Sequence, residues 1–192
     1  MSYVDNAHFR LSSPLIPGKA YDAINFSLGH LKGANSTKFN DFECDLTTSD
    51  RTPREQRLAE IQRAISGVSM HLPNGFAVGL NRQFANLFAD DAWEDEDELP
   101  QLSTVKTFID VLFRTDTALR PGIGTNGRGS ISAFWIFGGN RLTIECQPNY
   151  KTTWVTTRVS DKGEVERAAG ECSTTRLLDI LCPFNPGIWF DK

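Results

Sequence analysis

The chain has 192 residues, 40% of them apolar and 23% charged, and carries a formal net charge of −4. This balance is too apolar for disorder throughout, and its sign is wrong for a phosphate-binding surface, so nucleic-acid binding is not expected. No apolar run approaches the roughly 20 residues that span a bilayer, and the opening MSYVDNAHFRLSSPLIPGK lacks the basic and apolar regions of a secretory signal. A cytoplasmic protein without membrane association is the expectation.

Cys44, Cys146, Cys172 and Cys182 are scattered with no C-x-x-C pair, unlike a disulfide framework or zinc site. Reduced cysteines are expected, with Cys146 on the apolar face of a strand. His8, His30 and His71 show no metal-ligand spacing. No metal or cofactor is expected.

The first fifty residues are rich in Asn, Ser, Thr, Gly and Asp. Within them Tyr21, Ile24, Phe26 and Leu28 fit either a short strand or a helix. Thr52-Pro53-Arg54-Glu55 then joins a capping threonine, a proline at the first helical position and a glutamate three after the cap. Leu58, Ile61, Ile65 and Val68 recur at helical spacing and Gly67 marks the end, which predicts a helix over 53–66. Its Arg54, Arg57 and Arg63 read as a solvated face paired with Glu55 and Glu60. His71-Leu-Pro-Asn-Gly75 is a turn, and Phe84, Leu87 and Phe88 suggest a short helix near 80–89.

Residues 90–98 hold seven acids in nine positions, Asp90, Asp91, Glu94, Asp95, Glu96, Asp97 and Glu98, with Trp93 among them. Removing those seven from the chain's 24 acids leaves 17 against 20 Lys and Arg, so the acidity is concentrated here. Charges this dense predict an exposed linker or loop over 90–100, between an irregular and helical region, 1–89, and a second unit, 101–192. The two flanks form either separate units or one integrated domain. Trp93 either folds back on the body or serves with the acids as an anchor for a basic partner, where charge steers encounter and the ring supplies buried area.

Ser103 reads as the cap of a helix with an apolar stripe of Val105, Phe108, Ile109 and Leu112. Gly122-Ile-Gly124-Thr-Asn-Gly127-Arg-Gly129 is a literal G-x-G-x-x-G with a fourth glycine added, but it follows a helix and leads into a strand. A dinucleotide cradle needs the opposite order, so a plain helix-to-strand loop is expected. Alternation predicts strands at 131–137 and 141–146, then at 154–159 and 164–169. Glu145 reads as a cross-strand ion-pair partner of Arg141 or Arg158. Ser173 caps a final short helix bearing Leu177, Leu178 and Leu181.

The expected fold class is α+β: a C-terminal helix, four-stranded antiparallel meander and helix, with a mainly helical and irregular N-terminal half. No nucleophile elbow or catalytic cysteine context is present. The favoured function is a non-enzymatic protein-interaction module (an antitoxin-like inhibitor, immunity protein or complex subunit) engaging a basic partner through Asp90–Glu98. The alternative is a small-molecule enzyme or sensor with a pocket between the sheet and the N-terminal half.

Overall fold

A computed structural model describes residues 51–89, 93–94, 96–160 and 163–191. The expectations for Tyr21 to Leu28, His8, His30 and Cys44 lie outside these residues.

The first helix, α1 (Pro53–Gly67), begins where local chemistry dictates. The Glu55 amide donates to Thr52 Oγ1 at 3.2 Å and the Thr52 amide donates to Glu55 Oε2 at 2.9 Å, with Pro53 at the first turn. Two otherwise orphaned amides are thereby satisfied. Ile61, Ile65 and Val68 are buried, as their spacing predicts, and Ala64 joins them.

The second helix, α2 (Phe76–Ala89), starts four residues earlier than expected. The turn is present, with Gly75 at φ +76°, but the helix follows it at once. Phe76, Leu80, Phe84 and Phe88 form its buried stripe. Gly79 weakens the helical signal in sequence, and the Arg120 guanidinium occupies the space its side chain would take.

The third helix, α3 (Leu102–Thr115), is the centre of the molecule. It packs on α1 on one side and on the sheet on the other, and is buried nearly all round. Ser103 is not its cap: the cap position is Gln101, and the Ser103 hydroxyl donates to the Gln101 side chain at 3.3 Å. The helix opens two residues earlier than a Ser103 cap would set, with Leu102 packed against the core.

The sheet has five antiparallel strands in sequential order, one more than expected. They are β1 (Gly122–Thr125), β2 (Ile131–Phe137), β3 (Asn140–Gln147), β4 (Lys151–Val159) and β5 (Val165–Ser173). The extra strand is the front of the glycine motif, which pairs with β2 in the register Gly122 to Phe134 and Thr125 to Ile131. A missing side chain here makes room for a neighbour: a Cβ on Gly122 would meet the Phe134 ring at 2.2 Å. Gly170 and Trp154 repeat the device on the other face, where the contact would be 3.0 Å.

Ile131, Ala133, Trp135, Leu142, Ile144 and Cys146 alternate onto the inner face against α3. Ser173 precedes a 3₁₀ turn, Thr174–Arg176, without capping it, and the helix α4 (Leu177–Leu181) follows. A last turn of helix, α5 (Gly187–Phe190), closes the core with Trp189 and with Phe190 edge-on to Trp135 at 5.2 Å. Ile61 and Phe84 from the first two helices, Phe108 of α3 and Ile144 of the sheet belong to one continuous cluster. The class is α+β. Among the described residues no helix is long and apolar enough to cross a membrane.

Candidate functional site

The acidic segment lies between α2 and α3, and the described part of it runs from Trp93 to Pro100. Asp90, Asp91 and Asp95 are outside the described residues. Trp93 turns back on the body. Its indole N–H donates to the Leu87 carbonyl at 2.7 Å, its ring packs on Phe88 with centroids 5.7 Å apart, and the Arg54 guanidinium lies 5.4 Å from its centroid. The side chain is half-buried, because the hydrogen bond and both ring contacts come from the body.

Asp97 closes a small turn: the Glu94 amide donates to its carboxylate at 3.0 Å while its own amide donates to the Glu94 carbonyl at 3.1 Å. The strap then runs beside the back of the glycine motif. The Glu98 amide donates to the Gly127 carbonyl at 2.9 Å, the Gly129 amide donates to the Glu98 carbonyl at 3.2 Å, and the Gln101 amide donates to the Gly129 carbonyl at 3.0 Å. These bonds make a parallel bridge between Glu98 and Arg128. Leu99 and Pro100 then tuck into the body.

The glycines of the motif therefore divide into two uses. Gly122 and Gly124 are extended in β1, whereas Gly127 and Gly129 have φ of +69° and +75°. A Cβ on Gly127 would sit 2.3 Å from an Asp97 carboxylate oxygen, so the close approach of the strap needs glycine there. The turn's amides point inward to protein acceptors: Gly127 to Thr125 Oγ1, Arg128 to Asn126 Oδ1 and Gly129 to Glu98. A phosphate cradle requires such amides to be free.

Glu145, on the outer face of β3, anchors the same turn. It accepts from Asn126 Nδ2 at 2.7 Å and from Ser130 Oγ at 2.8 Å. The expected ion pair with Arg141 or Arg158 is absent: Glu145 stands opposite Ser132 and Thr153, and Arg158 stands opposite Glu166. On α1, Arg57 does pair with Glu60 at 3.1 Å, whereas Arg54 faces Trp93.

What the strap shows to solvent is charge. Glu94, Glu96 and Glu98 are exposed, while Asp97 is half-buried against the turn. Two open clefts of about 430 Å³ flank Trp93. One is bounded by Pro53, Arg54, Glu94 and Leu99, the other by Leu87 and the 124–127 turn, and Asp97 borders both. Sequence reasoning singled out the acids, Trp93, the glycines and Glu145 separately, but did not bring Asn126, Gly127, Gly129 and Glu145 to the strap, because that placement arises only from contacts distant in the chain.

Among the described residues no three His, Cys, Asp or Glu side chains converge as metal ligands would. Cys146 is buried and unpaired, and burial, reinforced by the neighbouring Glu145 charge, pushes its thiol well above the ordinary range. A thiol so disfavoured as thiolate is a poor nucleophile. No protein-family model matches the chain, and no curated protein or solved structure matches it either.

Proposed function

We propose that the protein is a non-enzymatic interaction module whose acidic strap engages a basic protein partner, in the manner of an antitoxin-like inhibitor, an immunity protein or a complex subunit. The observation that carries this reading is the combination of a fastened backbone with exposed carboxylates. Bonds at Trp93, Glu98 and Gln101 hold the strap to the body, Asp97 closes the turn within it, and Glu94, Glu96 and Glu98 remain exposed. A charged surface fixed before encounter costs less ordering on binding than a loose tail would. Its field steers a basic partner over about a Debye length, near 10 Å at 0.1 M salt. Trp93 has two roles in this scheme. Its N–H fixes the strap, and the exposed part of its ring, between two clefts, offers apolar contact to the partner.

The test is a pull-down from the native host followed by association kinetics of the captured partner at several salt concentrations. Changing Glu94, Glu96 and Glu98 together to Gln should lower the on-rate about tenfold or more at low salt and flatten its salt dependence. Trp93→Ala should mainly raise the off-rate. A partner that binds both variants like the wild type at every salt concentration would remove the strap from the interface.

A second reading, a small-molecule enzyme or sensor, is favoured by one observation. The cleft between Leu87, Trp93 and the Gly124–Gly127 turn lies between α2 and the sheet, with the Asp97 carboxylate on its wall. Ligand-induced thermal stabilisation that disappears on Asp97→Asn, with no partner captured, would favour it.

A further inference from the structure

The two edges of the sheet are unlike. β1 is four residues long and is abutted by α2, with the strap bonded to the turn that follows it. β5 is nine residues long, contains no proline, and has no strand on its far side among the described residues. A long uncovered edge presents a row of unpaired amides and carbonyls to any matching strand.

Which groups face outward follows from the bonds at the two ends of the β4–β5 ladder. The Ser160 amide donates to the Glu164 carbonyl at 2.8 Å, and the Thr174 amide donates to the Tyr150 carbonyl at 2.9 Å. In the observed register, Thr152 to Cys172 and Trp154 to Gly170, the even-numbered residues of β5 are thus the ones bonded to β4. Val165, Arg167, Ala169, Glu171 and Ser173 direct their backbone groups away from the sheet. Arg167, Ala169 and Glu171 are exposed, and neither charge has an ion-pair partner among the described residues.

That outward set is self-complementary. We infer that β5 pairs antiparallel with β5 of a second copy of this chain, about a two-fold axis through Ala169. In that register the outward backbone groups of each copy meet those of the other. Arg167 stands opposite Glu171 of the second copy, and Glu171 opposite its Arg167. The smallest side chains, Ala168, Ala169 and Gly170, lie at the axis. Opposite charges directly across an antiparallel pair stabilise it and like charges destabilise it. Centring the axis on Arg167 or on Glu171 would oppose like charges, and centring it on Ala168 or Gly170 would leave both charges facing uncharged residues. Only the axis at Ala169 pairs both. On the outer face, Val155 is 47% exposed and stands opposite Ala169, so two-fold pairing continues an apolar row across the junction. The result is a ten-stranded sheet shared by two copies, at a surface separate from the acidic strap.

Sedimentation over a concentration series tests this, using the full chain and three kinds of variant. The wild type should pass from monomer to dimer. Ala169→Pro removes an outward amide that β4 does not use, so circular dichroism and Tm should stay near wild type while the chain remains monomeric where the wild type is paired. Arg167→Glu and Glu171→Arg should each weaken the dimer about tenfold, and the two together should restore it to within about threefold. The inference is overturned by a wild type that stays monomeric throughout, by an Ala169→Pro chain that dimerises like the wild type, or by a double charge variant no tighter than the single ones.

Discussion

At the scale of single residues, the glycine motif shows how one pattern can serve opposite needs. Gly124 has open space where a side chain would be, whereas Gly127 has φ +69° and an Asp97 oxygen in that space. Replacing Gly127 by Ala should cost about 1–2 kcal/mol from the left-handed backbone alone, and the displaced Asp97 adds to it. Gly124→Ala should stay within about 0.5 kcal/mol of wild type. Urea denaturation of the two variants is the check, and equal losses would contradict the division. Cys146 gives a pH signature. Its thiol is held above the ordinary value in the folded chain by burial and by Glu145. The unfolded thiol ionises near pH 8.5, so above that pH the unfolded state binds fewer protons than the folded one and stability falls as pH rises. Between pH 7 and 9.5 the fall in unfolding free energy should be shallower for Cys146→Ala than for wild type. Parallel curves would mean the buried thiol does not titrate this way.

At the scale of elements, legibility in the sequence follows the range of the forces. The start of α1 could be read because Thr52, Pro53 and Glu55 satisfy one another within four residues. The β2 and β3 strands could be read because one face of each is buried and the alternation records it. β1 was illegible because glycine carries no facing signal. Its strand character comes from pairing with β2 and from the Phe134 ring over Gly122. The seat of the strap was illegible for the same reason: Glu98 and Gly127 meet through backbone groups, which any residues possess. The polar positions of α3 also depend on distant partners. Thr107 Oγ1 donates to the Gln147 carbonyl at 2.7 Å and accepts from the Tyr150 amide at 3.2 Å, tying the helix to the β3–β4 hairpin. Thr107→Val keeps the shape and leaves that carbonyl and amide without their partner. A loss of about 1–3 kcal/mol is expected, measured by chemical denaturation. A loss below about 0.5 kcal/mol would mean water replaces the hydroxyl.

At the scale of the whole molecule, the acidic stretch interrupts the hydrophobic pattern, yet the apolar stripes on either side of it join one core. Phe84 of α2 meets Phe108 of α3 edge-on at 6.1 Å, and α3 in turn packs on the sheet. Unfolding of residues 51–191 should therefore be a single cooperative transition. Tryptophan fluorescence and far-UV circular dichroism should give coincident curves, and two separated transitions would mean that the helices before residue 90 fold apart from the sheet. The proposed function depends on the strap being part of that body rather than a tether beside it. The most direct measurement is residue-resolved amide hydrogen exchange on the full chain. The amides of Glu98, Gly129 and Gln101 should exchange far more slowly than the unstructured rate, because each donates to a carbonyl across the strap and turn. Exchange of all three at the unstructured rate, while α3 amides stay protected, would contradict a docked strap and leave the acidic residues as a linker.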